Sequence, residues 1–126
     1  MKKQKTLSEI TSEVMDFANE RGWVKEDPTS LINALFIELG ELADHYQWKH
    51  DFKEIKKLEG KKKKEVGYEF VDVFIYLLRL AYRSNIDVEK YFNEKMPKLR
   101  EKFKVGGDSN KAHTEYRKTG KNKTYE

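Results

Sequence analysis

Apolar residues recur along this chain at helical spacing. Leu7, Ile10, Val14, Phe17 and Ala18 form one stripe, which predicts a first helix from Leu7 to about Glu20 with Thr6 as its N-cap. Arg21-Gly22-Trp23 ends it, and Asp27-Pro28-Thr29-Ser30 supplies helix-start chemistry before a second period that holds from Leu31 to about His50. Asp51 to Gly60 is polar and irregular and reads as a connecting loop. A third helix is expected from Lys61 to Ser84, and a fourth from about Val88 to Phe103 after the turn residues Asn85 and Asp87. Pro97 predicts a kink or a local end within that last helix. Strict apolar-polar alternation persists nowhere, and only two prolines and seven glycines punctuate the sequence, so the expected fold is all-α with four helices.

Composition narrows the chemistry. At 126 residues the chain fits one domain able to bury roughly two-thirds of its unfolded surface. It has no cysteine, which excludes disulfides, thiolate metal sites and cysteine nucleophiles and suits a reducing compartment. No apolar run reaches the ~20 residues of a membrane span, and the basic start MKKQKTLSEI lacks the apolar stretch of a signal peptide, so a cytoplasmic protein is expected. The 26 basic against 22 acidic residues leave a net charge of +4, concentrated in the lysines at 61 to 64 and after Phe103. Such a surplus suits anionic partners, from nucleic acid to nucleotides. Residues 1–105 read as the helical domain, and the basic segment 106–126, almost free of aliphatic residues, as a mobile tail.

Carboxylates stand on the wrong face of two helices. At about 100° per residue, Glu38 falls in the sector of Leu31, Leu35 and Leu42, with Glu41 about 60° away, while Asp44 lies opposite. In the third helix Glu69 shares a sector with Val66, Val73, Tyr76 and Leu80, and Asp72 lies at its edge. Either acid-x-x-acid pair alone usually marks a solvated face. Two pairs on apolar sectors of two helices would converge in low dielectric and repel unless cations neutralise them. Oxygen ligands suit magnesium or manganese. A di-iron bundle uses Glu-x-x-His, a spacing this chain lacks, and His45 reads as a flanking hydrogen-bonding residue.

The third helix is apolar on nearly every side, through Phe70, Val71, Phe74, Leu77, Leu78 and Ala81, and a second copy of the chain is the simplest cover for it. Along the same helix Tyr76, Arg79 and Arg83 continue the line of Asp72, as ion-pair partners of the acids or, beside a bound metal, as phosphate clamps. Lys95 is a weaker phosphate candidate. Trp23 and Trp48 flank polar loops and are suited either to stacking on a base or to sealing the ends of the bundle.

The segments LFIELGELADHYQWK, EVGYEFVDVFIYLLRLA and IDVEKYFNEKM resemble the MazG-like all-α nucleoside triphosphate pyrophosphohydrolases, and in particular their dCTP pyrophosphatase branch, over about residues 6 to 103. The resemblance implies a four-helix subunit in a homodimer or homotetramer. It also implies magnesium held by Glu38, Glu41, Glu69 and Asp72, phosphate contacts from Tyr76, Arg83 and Lys95, and base contacts from Trp23 and Trp48. The reaction it implies converts a nucleoside triphosphate, dCTP or a modified pyrimidine nucleotide first, to the monophosphate and pyrophosphate, with Glu38 or Glu41 taking the proton of the attacking water. Ile37 stands where many members carry an additional glutamate, as in the dCTPase-like branch. Glu26 and Leu99 replace a histidine and an asparagine frequent in relatives, which leaves base or sugar selectivity open. Two other classes compete: a metal-dependent nucleotide-binding oligomer without turnover, and a basic nucleic-acid-binding helical protein, against which the inward acids argue.

Overall fold

Side-chain caps set where the helices begin. Thr6 starts α1 (Leu7–Glu20) with a capping box: its hydroxyl oxygen accepts from the Glu9 N–H at 3.1 Å, and the Glu9 carboxylate accepts from the Thr6 N–H at 3.2 Å. Asp27 caps α2 (Pro28–Asp44), accepting from the Ser30 N–H at 2.7 Å, and Pro28 opens the first turn, where its missing N–H costs nothing. The computed structural model describes residues 3–106, and these hold five helices and no strand. The others are α3 (Lys53–Lys56), α4 (Gly60–Arg83) and α5 (Val88–Lys102), the last capped by Asp87, which accepts from the Lys90 N–H at 3.1 Å. Among the described residues no helix is long and apolar enough to cross a membrane.

Three boundaries differ from the sequence expectation. α2 stops at Asp44, not near His50, because the chain turns over residues 45–48 and Trp48 takes a left-handed φ of 66° that no helix can contain. The expected loop at 51–60 contains the single helical turn α3, so the described residues hold five helices and not four. α5 runs on through Pro97 to Lys102, so of the expected kink or local end the second does not occur. Pro97 and Asn93 are both exposed, so the Asn93 carbonyl left without its helical donor can turn to water. The basic tail beyond Gly106 lies outside the described residues.

The chain divides into two units, residues 1–86 and the part from Asp87 onward. In the first, α4 is the central element: α2 packs along it, and α1 packs on it more lightly. The buried apolar side chains are Met15 and Ala18 from α1, Leu31 from α2, and Val66 and Leu78 from α4. This core is small because much of the apolar surface of α4 stays uncovered among the described residues. Phe70, Val71, Phe74 and Leu77 are 41 to 50 % exposed, and Phe36 and Ile37 of α2 are more exposed still. The second unit, as far as it is described, consists of α5 and the turn residues after it.

Candidate active site

α2 and α4 each present glutamates to the seam between them, since Glu38 shares the face of Leu31, and Glu69 that of Val66, both anchored in the core. Carboxylate oxygens of Glu38, Glu41 and Glu69 come within 4.8 Å of one another. Glu38 and Glu69 are half-buried, and each keeps one carboxylate oxygen (Oε2) buried without a hydrogen-bond partner. Burial, followed by the charges of Glu41 and Asp72, pushes the Glu38 carboxyl up to about 7. Glu69 is also raised, first by burial and then by Glu41 and Asp72, while His45 at the C-cap of α2 acts in the opposite sense.

Three of the four expected acids thus gather, although Glu41, expected to face the core, is exposed because it lies at the edge of the α2 face that packs on α4. Asp72, half-buried one turn beyond Glu69, is not within that spacing of all three, yet its charge is felt by both Glu38 and Glu69. The cluster fits a divalent cation. Its spacing is close to twice the ~2.1–2.6 Å at which hard cations take oxygen ligands, and its orphaned buried oxygens are acceptors that lack a donor.

The remaining candidates lie outside this group of three acids. Tyr76 is half-buried one turn after Asp72. Arg83, at the exposed C-terminal end of α4, donates through Nη1 to the Glu26 carbonyl. Lys95 belongs to α5 and so to the second unit. Trp48 is 80 % exposed in the turn after α2, and residues on either side of it, Tyr46 and Lys49 to Phe52 with Ile55, line a cavity of about 140 Å³. Trp23 follows α1 in a Schellman turn, in which its N–H reaches the Ala18 carbonyl at 2.9 Å and the Gly22 N–H reaches that of Asn19 at 3.1 Å. Gly22 supplies the left-handed φ of 72° that this turn requires. The Trp23 ring meets Phe17 edge-on at 5.6 Å.

Arg79 differs from the sequence reading that aligned it with the acids of its own helix. It is 3 % exposed, and its Nη2 donates to the Glu26 carboxylate at 2.7 Å and to the Trp23 carbonyl at 3.2 Å. Sequence reasoning recorded Glu26 only as a departure from a pattern and missed the pair. The available signal was rotational: seven residues separate Asp72 from Arg79, which returns Arg79 to within about 20° of the acid line, an inward position.

The sequence profile of the dUTPase_2 family, described as dUTPase, matches residues 1–124. The chain is 35 % identical over 102 residues to dCTP pyrophosphatase 1 of Rattus norvegicus, a match that covers 79 % of this chain and 60 % of the relative. It is 34 % identical over 100 residues to dCTP pyrophosphatase 1 of Homo sapiens, covering 78 % and 59 % respectively. The chain therefore spans about three fifths of the length of these curated relatives. A pyrophosphatase of known structure from Archaeoglobus fulgidus DSM 4304 superposes with a TM-score of 0.68 at 30 % identity, covering 82 % of this chain and 97 % of that one. With its all-helical architecture, its paired acids on α2 and α4 and these matches, the chain belongs to the dUTPase_2 family of MazG-like all-α nucleoside triphosphate pyrophosphohydrolases, on the dCTP pyrophosphatase-like branch.

Proposed function

We propose that this protein is a magnesium-dependent nucleoside triphosphate pyrophosphohydrolase of the cytoplasm that converts dCTP, or a modified pyrimidine nucleotide, to the monophosphate and pyrophosphate. The observation that carries the reading is the gathering of Glu38, Glu41 and Glu69 within 4.8 Å, with two buried oxygens lacking donors. Like charges are held together there at a cost that only a cation or a proton offsets. The names of the dCTP pyrophosphatase relatives supply the substrate class.

In this reading Glu38, Glu41, Glu69 and Asp72 hold magnesium, for which manganese is a substitute. The ion supplies neutralisation of phosphate charge and polarises the α-phosphorus toward attack. Glu38 or Glu41 accepts one proton from the attacking water. The water oxygen forms the new bond to the α-phosphorus, the bond from that phosphorus to the α,β-bridging oxygen breaks in line, and the electron pair leaves with pyrophosphate. Tyr76 and Arg83 take the phosphate oxygens, and Trp23 and Trp48 take the base by stacking.

The same reading makes the protein a homodimer or homotetramer, supported by the half-exposed Phe70, Val71, Phe74 and Leu77 of α4. A panel of canonical and modified nucleoside triphosphates, assayed with and without magnesium, tests the reaction. Monophosphate plus pyrophosphate, formed only with the ion, is expected. Diphosphate plus phosphate, or no turnover of any triphosphate, overturns it, and the second result leaves a nucleotide-binding oligomer.

A further inference from the structure

Arg79 is the buried charged side chain of the described first unit, and both of its hydrogen-bond acceptors lie in one short connector. That connector, residues 21–27 between α1 and α2, contains Trp23 and Glu26. One nitrogen of Arg79, Nη2, donates to the Trp23 carbonyl at 3.2 Å and to the Glu26 carboxylate at 2.7 Å. The guanidinium carbon stands 5.7 Å from the centre of the Trp23 ring and 5.4 Å from that of Tyr76. Arg83, one turn on, donates to the Glu26 carbonyl and so holds the same connector at a second point.

The arrangement is poor as a stabilising device. Arg79 is 97 % buried and its Nε has no hydrogen-bond partner, while Glu26 remains one-third exposed. A buried cation with an orphaned donor is commonly no better for stability than an apolar residue of its size. What the pair does provide is registration, because it ties the connector to the helix that carries Glu69 and Asp72.

We infer that Arg79 is a positioning residue: it clamps the Trp23–Glu26 connector to the acid-bearing helix and sets where the Trp23 ring meets the nucleoside, so that it governs substrate affinity and not the chemical step. This rests on the function proposed above. A rigid stacking platform costs the substrate no ordering, whereas a loose one must be ordered on binding.

Steady-state kinetics of the full chain with dCTP and magnesium, for Arg79→Met, Glu26→Gln and the double variant, test the inference. Arg79→Met is expected to raise KM about tenfold with kcat within about threefold of the parent. Arg79→Lys, which keeps the charge but not the fork, should fall between. The double variant should melt close to the parent, since both ends of the pair are gone, yet keep the raised KM, an outcome that a merely structural role would not produce. If Arg79→Met fails to fold, the double variant carries the same test. An unchanged KM, or a fall in kcat at unchanged KM, overturns the inference.

A measurement independent of turnover separates this failure from failure of the functional reading. In a Trp48→Phe background, emission reports Trp23 alone, and Arg79→Met should redden it and increase its quenching by acrylamide. A parent that hydrolyses no triphosphate overturns the function. Emission and quenching that do not change overturn the clamp.

Discussion

Two stretches of α4 treat inward charge in opposite ways. In the middle of the helix, Glu69 faces Glu38 and Glu41, and like charge is left against like charge with two oxygens unpartnered. Ten residues on, Arg79 is more deeply buried, but an acid from the α1–α2 connector meets it at 2.7 Å. Among the described residues a carboxylate meets Arg79, whereas two oxygens of the acid cluster have no hydrogen-bond partner. A charge satisfied within the chain orders the chain, whereas a cluster of one sign is left for a cation or a proton to neutralise.

The contrast breaks most visibly at the acids. Glu41→Ala or Asp72→Ala should lower kcat by on the order of 10³, with helical content retained and the metal-free melting temperature unchanged or higher, since a repulsive charge has gone. Circular dichroism with the magnesium assay checks both halves. Loss of fold in these variants would mean that the acids support the structure instead of holding a cation.

The effect of the Arg79 variants on KM is expected to be next in size. Smaller again is a pH effect on the metal-free protein. Because the Glu38 carboxyl is raised to about 7 in the folded state from 4.5, the folded chain holds the proton more tightly than the unfolded one. That contribution to stability is present below pH 4.5 and is lost as pH rises through 7, so without cation the protein should melt higher at pH 5 than at pH 8. Magnesium should remove or reverse the difference at pH 8, because it takes the place of the proton. Identical melting at both pH values, with chelator present, would count against the crowded carboxylates.

At the small end, Thr6→Ala should cost about 1 kcal/mol in urea unfolding by removing one half of the capping box, and it should leave kcat and KM unchanged. It provides the control for a purely local stability loss.

Much of this was legible in the residues. Thr6, Asp27-Pro28 and Asp87 announced three helix starts because caps act over three or four residues, and the apolar periods located the helices. The inward phase of Glu38 and Glu69 followed from rotation about a helix axis, which needs no tertiary information, whereas Glu41, about 60° away on the same argument, lies at the exposed edge of the cluster. The premature end of α2 was hidden, since Tyr46, Trp48 and their neighbours prolong an apolar period that the left-handed turn at Trp48 interrupts. α3 escaped notice because a single turn has too few residues to display a period.

By itself, then, the sequence determined the helical class, the helix starts and the faces on which the acids lie, because all of these arise from interactions between residues a turn or less apart. Only the tertiary structure decided that Glu38, Glu41 and Glu69 close to within 4.8 Å, that Asp72 stands beside this group, and that Arg79 selects Glu26, a residue 53 positions away, over the acids of its own helix. The packing of α2 and of the α1–α2 connector against α4 brings these groups together, and distance, through its control of Coulomb energy and desolvation, determines which charges are paired and which remain to be neutralised.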